Sequence, residues 1–484
     1  MVVGSGIAGA ELATFLARHG RDVVLLESGR EAFDPAIQAL NDLVFAGKRH
    51  RQLDPEASYH RYLPDELRGV SRVRQFGGTS NVWTGKWKHF QASDFVARPW
   101  VPVSEWPIRL DDLLGHYRSA AADYRFGDLE AEAERPALAP LRAQLAAAGL
   151  KVTSFYWEEN PTRTPVRFGS EMARSDRLKV VLGATVTELI DDGGTIGTAV
   201  CRSLEGRMLT VRGRTFILAT GALEAARLLL ASSRTDPRGI GNAHDLVGRY
   251  YSDHPKHHSG TLHPGELCRQ HATELQYGPK PRFCLCFALD DATQAEHRLL
   301  EHVIYLKPIY ETRRARAARF VRGRPACRDG LGAVSAYRVK LVTEQMPNRE
   351  SRVRLGAERD ALGMPRLVLD WRLREEDRRS LAAVVALAEE RFRRAGLGAF
   401  DFSQDPPDLE TMTDAAHQMG TTRMSSAPEG GVVDPDCRVW GTDNLYVASS
   451  AVFPTGPSYS PTFTILALAR RLGEHLLGAA GHRA

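Results

Sequence analysis

Long apolar runs, paired cysteines and lysine are all scarce in this chain of 484 residues. No run of about 18 apolar residues is present to cross a bilayer. No basic-then-apolar leader precedes the first glycine motif. The six cysteines form no CxxC pair and have no histidine at zinc-ligand spacing. We therefore expect a soluble, cytoplasmic protein with reduced thiols.

Arginine supplies most of the positive charge. Only nine of the 64 basic residues are lysine, and the net charge is +5. A net charge this small does not imply nucleic-acid binding. The densest basic run, residues 313–328, is predicted to be a solvated helix face, and a partner or membrane surface is the alternative.

The first motif is GxGxxG, formed by Gly4, Gly6 and Gly9 after a short strand. The first glycine permits the turn, the second lets the backbone approach a pyrophosphate, and the third lets helix and strand pack closely. The next apolar run, 22–26, ends at Glu27, where an acceptor for a ribose hydroxyl is expected. This context predicts a dinucleotide site.

Two later segments fit the same site. Residues 76–85 place Gly77 and Gly78 ahead of small polar residues and a tryptophan, as in a loop against a flat ligand; an ordinary glycine-rich turn is the alternative. The run 215–222 predicts a buried strand that ends in Ala-Thr-Gly. It favours FAD over NAD, and no second GxGxxG is present for an NAD(P)H domain.

Between about 256 and 400 the pattern changes to alternating runs, which predict strands with one covered face. These runs are Arg282 to Ala288, His302 to Pro308, Ala333 to Val342, Ser351 to Leu355 and Arg366 to Leu373. We predict an α/β fold, in which an FAD-binding Rossmann-like domain of the two-dinucleotide-fold flavoprotein type carries an antiparallel-sheet substrate domain. The FAD-binding domain is assigned to 1–255 and 406–484, and the substrate domain to 256–405.

The C-terminal stretch 417–464 combines a histidine in a Gly/Thr loop, an apolar strand at 445–448, and a Ser460-Pro461 step that opens a helix. This stretch resembles the C-terminal region of the glucose-methanol-choline (GMC) family of FAD-dependent oxidoreductases. The glycine loop 76–85 resembles the second flavin-contacting loop of that family, closest to its pyranose-oxidase-like, sugar-oxidising branch.

The resemblance implies a set of site residues. His417 is implied as the catalytic base, and the helix after Ser460 as the source of a positive field at the flavin. Val82 stands where that branch can carry a histidine bonded covalently to FAD, which implies non-covalent FAD. The implied cofactor-binding residues are Gly4, Gly6, Gly9, Glu27, Gly77, Gly78, Thr79, Asn81, Val186, Ala219, Gly221, Ser450, Pro461 and Thr462.

Ser460 departs from the family pattern, since most members carry Asn or His just before this proline. Serine has a shorter reach and a single donor. Either Ser460 contacts the substrate directly or through water, or another residue such as Tyr459 takes that role.

The implied activity is hydride transfer from a sugar, amino sugar or polyol hydroxyl carbon to flavin N5, with oxygen or another carrier as electron acceptor. A non-redox lyase of the same fold and a flavin-loaded protein without catalysis are the alternatives. The composition further favours antibiotic biosynthesis and an aminoglycoside hydroxymethyl group as substrate. A polycation would need carboxylates near the flavin, and the candidates, which fit a solvated acidic loop at least as well, are Asp401, Asp405, Asp408, Glu410 and Asp414.

Two further expectations concern metal and the N-terminus. His254, His257 and His258 have no carboxylate at evident spacing, so we predict a structural loop and no metal. Only Met1 to Val3 precede the glycine turn, whereas family members usually carry a longer strand. We therefore expect that residues upstream of Met1 are missing or that the start codon is misassigned.

Overall fold

The computed structural model describes residues 1–48, 71–127, 131, 134–275, 283–321, 326–401, 409 and 412–481, with the backbone alone for 479–481. Its helices are Ile7–Arg18, Pro35–Gln38, Asp111–Asp123, Ala139–Ala147, Thr164–Arg174, Gly221–Ala231, Glu266–Gln270, Asp291–His297, Arg313–Val321, Glu375–Arg394 and Thr462–Gly481. None of the helices in these ranges combines the length and apolarity needed for a bilayer span.

A parallel sheet of five strands carries the first glycine motif. Its order is β19 (Leu445–Val447), β10 (Phe216–Leu218), β1 (Val2–Val3), β2 (Val23–Leu26) and β6 (Leu178–Val181). All neighbours in this sheet run parallel. The strands are short apolar runs, and β10 and β19 are buried along their whole length, as parallel sheets covered by helices require. The carboxyl ends of β1, β2 and β10 therefore meet at one edge.

A second, larger sheet is antiparallel. Its main order is β18 (Gly398–Asp401), β11 (Lys256–Pro264), β15 (Ala333–Thr343), β13 (His302–Tyr310), β12 (Phe283–Leu289), β5 (Leu150–Trp157) and β4 (Lys86–Trp87), and β14 (Cys327–Arg328) pairs with β15. One face of this sheet packs on the helix Glu375–Arg394 through an apolar cluster. The helix has acidic residues in its first turn and arginines in its last, which complement its dipole.

Two smaller sheets complete the strand set. One has the order β16 (Arg352–Arg359), β17 (Pro365–Asp370) and β3 (Leu43–Phe45), and the other joins β7 (Thr185–Asp192), β8 (Thr195–Arg202) and β9 (Met208–Arg212). The predicted strands at 351–355 and 366–373 therefore belong to a separate sheet and not to the large antiparallel sheet. The reason is that β17 pairs in parallel with β3.

The predicted fold class is confirmed: an α/β body with a parallel sheet, combined with an antiparallel sheet. The division at residues 255 and 405 stays a prediction. The large sheet also takes β4 and β5 from before residue 256. The arginine-rich helix Arg313–Val321 has no buried residue, which agrees with the predicted solvated face.

Candidate active site

The first glycine turn has no room for side chains at two of its three glycines. Gly4 has a φ of +97°, and a Cβ there would lie 2.6 Å from the carbonyl oxygen of Ala219. A Cβ on Gly9 would lie 1.9 Å from the carbonyl oxygen of Gly4. Only glycine lets strand β1, the turn and the helix Ile7–Arg18 approach this closely.

Gly6 is open toward the cavity, since a Cβ there would meet no atom within 4 Å. The helix that follows has no acidic residue in its first turn. Its free N–H groups and positive dipole end are therefore available to an anion. An open glycine at a helix N-terminus fits the pyrophosphate of a dinucleotide.

Glu27 is buried behind this turn. Its Oε2 accepts from the Ser5 backbone N–H at 2.9 Å and the Ser5 hydroxyl at 2.6 Å, and its Oε1 accepts from the Gly29 N–H at 2.7 Å. A carboxylate oxygen offers two acceptor sites, so Oε1 can still accept a ribose hydroxyl while the carboxylate orders the turn.

A cavity of about 420 Å³ runs from the glycine turn to His417. This volume is within the roughly 300–1,000 Å³ usual for small-molecule sites. The predicted residues that line it are Gly4, Gly6, Glu27, Gly78, Thr79, Val186, Ala219, Gly221, His417, Ser450, Ser460, Pro461 and Thr462. Sequence positions far apart in the chain therefore converge on one space.

Three predicted cofactor residues support the site from outside the lining. Gly9 packs on the Gly4 carbonyl. The Gly77 N–H donates to the Ser5 hydroxyl at 2.9 Å, and the Asn81 side-chain amide donates to the Phe76 carbonyl at 2.9 Å. These contacts fix the second glycine loop against the first.

The backbone before His417 is held in an unusual conformation. Ala416 has a φ of +58°, a region that residues with a Cβ rarely occupy. The Asp253 carboxylate accepts the N–H groups of Ala415 and His417 at 3.0 Å, and Asp414 accepts that of Ala416 at 3.0 Å. Two buried carboxylates therefore order the loop that presents His417, and strained backbone of this kind is concentrated at functional sites.

The imidazole of His417 contacts a second histidine. Its Nδ1 lies 2.9 Å from Nδ1 of the fully buried His254, with the ring planes at 84°. Burial lowers the pKa of His254 to about 3. Burial, and then the neighbouring His254 and three lysines, lower the pKa of His417 well below its usual 6.5. Both rings are therefore neutral at ordinary pH.

The Ser460-Pro461 step lies at the same end of the cavity. The helix begins at Thr462, and its first i to i+4 bond joins the Ile465 N–H to the Pro461 carbonyl at 2.9 Å. Pro461 therefore occupies the cap position of this helix, and Ser460 precedes it. The Ser460 hydroxyl lines the cavity, 3.4 Å from that of Thr462. The hydroxyl of Tyr459 donates to the buried Glu301 at 2.8 Å.

The cavity also has four lysines that the sequence analysis missed: Lys86, Lys88, Lys256 and Lys340. Lys86 and Lys88 are two residues apart, directly after the second glycine loop. In a strand this spacing places both side chains on one face, and it could have predicted that they lie together. Of the carboxylates predicted for a cationic substrate, Asp401 is exposed at the end of β18 and Asp414 caps the Ala416 loop. Asp405, Asp408 and Glu410 lie outside the described residues.

No cluster of metal ligands is found in the part of the chain that the structure describes. His254 contacts His417, His257 Nδ1 lies 2.9 Å from the Ser259 hydroxyl, and His258 is exposed. The three histidines therefore face different surroundings.

Comparison with known proteins finds two matching families. Residues 347–469 match the GMC oxidoreductase model, and residues 2–33 match the NAD(P)-binding Rossmann-like domain. Paromamine 6'-oxidase of Streptomyces fradiae is 25% identical over 99% of this chain and 91% of that protein. 2-methyl-1,2-propanediol dehydrogenase of Mycolicibacterium austroafricanum is 22% identical over 98% of this chain and 94% of that protein.

The solved structures give the same fold. Pyridoxine 4-oxidase from Mesorbium loti superposes with a TM-score of 0.62 at 20% identity, covering 98% of both chains. The two family matches include the glycine turn at one end of the chain and His417 at the other.

Proposed function

We propose that this chain, which belongs to the GMC oxidoreductase family and is an FAD-dependent alcohol oxidoreductase, oxidises a sugar or polyol hydroxyl with His417 as general base. The similar oxidases and dehydrogenases support small alcohols as the substrate class. The name of the Streptomyces relative extends the candidates to amino sugars. The proposal includes the division into an FAD-binding part, 1–255 and 406–484, and a substrate-binding part, 256–405.

The residues of the cavity fit FAD. The open Gly6 and the helix N-terminus would hold the pyrophosphate, and Glu27 would accept a ribose hydroxyl. Val82 lines the cavity on the second glycine loop, which supports non-covalent binding. When bound, FAD supplies the acceptor for the hydride of the alcohol.

The single observation that carries the proposal is the placement of His417. Its Nδ1 is engaged by His254, and the ring lines the cavity, so Nε2 is the nitrogen available to a substrate hydroxyl. A neutral imidazole at that position accepts the hydroxyl proton. The depressed pKa keeps the ring neutral before the reaction.

Ser460 and the helix behind it have a supporting role in the proposal. The Ser460 hydroxyl can donate to the substrate oxygen, either directly or through water. The helix Thr462–Gly481 has no acidic residue in its first turn, so its positive end favours negative charge developing in the cavity. The proposed electron acceptor is oxygen or another carrier.

The test is anaerobic flavin reduction by a panel of sugars, polyols and amino sugars. We expect His417→Ala to bind FAD but to reduce it about 10²- to 10⁴-fold more slowly, the usual contribution of a positioned base. His263→Ala is the matched control, because His263 is exposed on β11 and does not line the cavity. Wild-type reduction rates in His417→Ala would contradict the proposal.

The same experiment separates the alternatives. A non-redox lyase would turn over its substrate without any change in flavin absorbance, and a flavin-loaded protein without catalysis would do neither. Admission of air after reduction distinguishes an oxidase, which reoxidises rapidly, from a dehydrogenase.

A further inference from the structure

One face of the eight-stranded sheet presents lysines to the cavity. In antiparallel sheets, directly paired residues share a face, as do residues two apart on one strand. Lys256 pairs with Val342, which is two residues from Lys340, and Lys340 pairs with Tyr305. Lys256 and Lys340 are therefore on one face, and both line the cavity.

The other edge of the same sheet adds two more ammonium groups. Lys86 pairs with Trp157, and its Nζ lies 4.3 Å from the centre of that ring. Lys88 is buried; its Nζ donates to the Ser154 carbonyl at 3.2 Å and lies 4.5 Å from the Tyr459 ring. Four lysine side chains thus line one cavity, and two of them lie over aromatic rings.

This concentration is unusual for the chain. Nine of its 64 basic residues are lysine, and four of those nine line this single cavity. An ammonium group is a compact point charge that suits carboxylate or phosphate recognition in a small pocket. Lysine is therefore more frequent among the residues that line this cavity than in the chain as a whole.

The lysines lie at the His417 end of the cavity. Lys256 is two residues from His254, which contacts His417, and its backbone exchanges hydrogen bonds with Thr413, four residues before His417. The charges of Lys256, Lys340 and Lys86 also lower the pKa of His417. The nucleotide end, at Gly4 and Gly6, is formed by the parallel sheet. The pyrophosphate of FAD therefore has its own site at the opposite end.

Carboxylates are few on this side. Among the described lining residues, the carboxylates are Glu27, bound to Ser5, and Glu224, paired with Arg74 at 2.5 Å. Three more lie just behind the lining: Glu301 accepts from Tyr459, Asp253 accepts the backbone N–H of His417, and Asp414 accepts that of Ala416. Among the described residues that line the wall bordering His417, the charged side chains are therefore lysines.

We propose that the alcohol oxidised at His417 carries a carboxylate or a phosphate, which Lys340 and Lys256 bind at the antiparallel wall. The inference rests on the proposed function. It favours sugar acids or phosphorylated polyols and disfavours aminoglycosides, because a polycation would face a confined wall whose charged lining side chains are lysines.

The experiment compares matched alcohols on the FAD-loaded enzyme: galactose with galacturonate, glycerol with glycerol 3-phosphate, and glucosamine as the cation. Flavin reduction gives kcat/KM. Calorimetric titration of His417→Ala holoenzyme, in which turnover is largely suppressed, gives the binding constant for each anion. The two anions distinguish a carboxylate site from a phosphate site.

The variants are Lys340→Gln and Lys256→Gln, with Lys340→Arg as the charge-conserving change. Lys179→Gln is the matched control, because Lys179 is exposed on β6 and outside the cavity. We expect anions to bind at least about tenfold more weakly in each Gln variant, as when one partner of a charge pair is removed. Lys340→Arg should restore most of the affinity, and Lys179→Gln should bind both anions as the wild type does.

Each outcome decides a different point. If neutral or amino sugars reduce the flavin and no anion is preferred, the charge inference is wrong and the proposed function stands. If anions bind in a lysine-dependent way but no alcohol reduces the flavin, the anion-binding site at the antiparallel wall stands and the proposed function fails. Loss of FAD from the Gln variants, with unchanged preference in the loaded fraction, would overturn the inference and assign the lysines to the cofactor.

Discussion

His254 Nδ1 lies 2.9 Å from His417 Nδ1, so one of the two neutral rings donates its proton to the other. Backbone hydrogen bonds of Gly456 and Pro457 raise the pKa of His254 against the larger lowering by burial. Its Nε2 lies toward Gly456, where an added Cβ would be 3.4 Å away. A proton on that Nε2 makes His254 Nδ1 the acceptor. The proposed base at His417 Nε2 requires this arrangement, in which His417 donates its Nδ1 proton to His254 Nδ1.

His254 is therefore predicted to be a positioning residue. We expect His254→Ala to lower kcat about 10- to 100-fold with little change in KM, because the base loses its orientation and tautomer but the substrate wall remains. His254→Gln should recover part of the rate, since its amide oxygen can accept from His417 Nδ1. Steady-state kinetics with FAD content as the control measures this. A raised KM with unchanged kcat would contradict it.

The pH dependence of the neutral-alcohol reaction follows from the pKa of His417. A general base works only when unprotonated, and protonation sets in below its pKa. Because burial and the adjacent charges hold this pKa well below 6.5, kcat/KM with a neutral alcohol should stay constant down through pH 6.5 and fall only in more acidic solution. An acid limb centred at 6.5 or above would show that His417 is not in this environment.

Anion binding should have a different pH dependence. Burial lowers the pKa of Lys86 to about 7. The other groups that act on it are Cys284 and Cys286, which raise its pKa, and Lys307 and Lys256, which lower it. An ammonium loses its charge above its pKa, so the affinity for galacturonate or glycerol 3-phosphate should weaken as pH rises through about 7. In Lys86→Met, calorimetric titration across this pH range should show that the affinity for the anion no longer weakens as the pH rises.

Two glycines of the first motif should respond oppositely to alanine. Gly6→Ala adds a Cβ that meets no protein atom within 4 Å, so the thermal stability of the apoprotein should be unchanged while FAD affinity falls. Gly9→Ala places a Cβ 1.9 Å from the Gly4 carbonyl, so it should destabilise the apoprotein by about 1–3 kcal/mol through overpacking. Equal FAD affinity in Gly6→Ala and wild type would contradict the assigned pyrophosphate site.

Much of this architecture can be predicted from local patterns. The glycine turn, the carboxylate at Glu27 and the loop around His417 are each set by a few neighbouring residues, and the structure brings them to one cavity. Alternation likewise predicts the strands of the large sheet. These features depend on short-range geometry, which the sequence encodes directly.

The remaining features depend on pairing across the chain. His254 and His417 are 163 residues apart, and no local pattern joins them. Alternation shows which residues share a face with Lys256 or with Lys340 on each strand. It does not show which face of the sheet borders a cavity. The prediction that β17 belongs to the large antiparallel sheet is wrong, because its partner β3 lies in a segment without a recognisable motif.

The parallel sheet has a consequence for biosynthesis. Its central pair joins Val2 to Ile217, and its edge joins Ile217 to Tyr446. Strands this distant in sequence close large loops, which makes their assembly slow. The sheet can be completed only after β19 has left the ribosome, so the nascent chain must remain unaggregated until the residues of β19 have been synthesised.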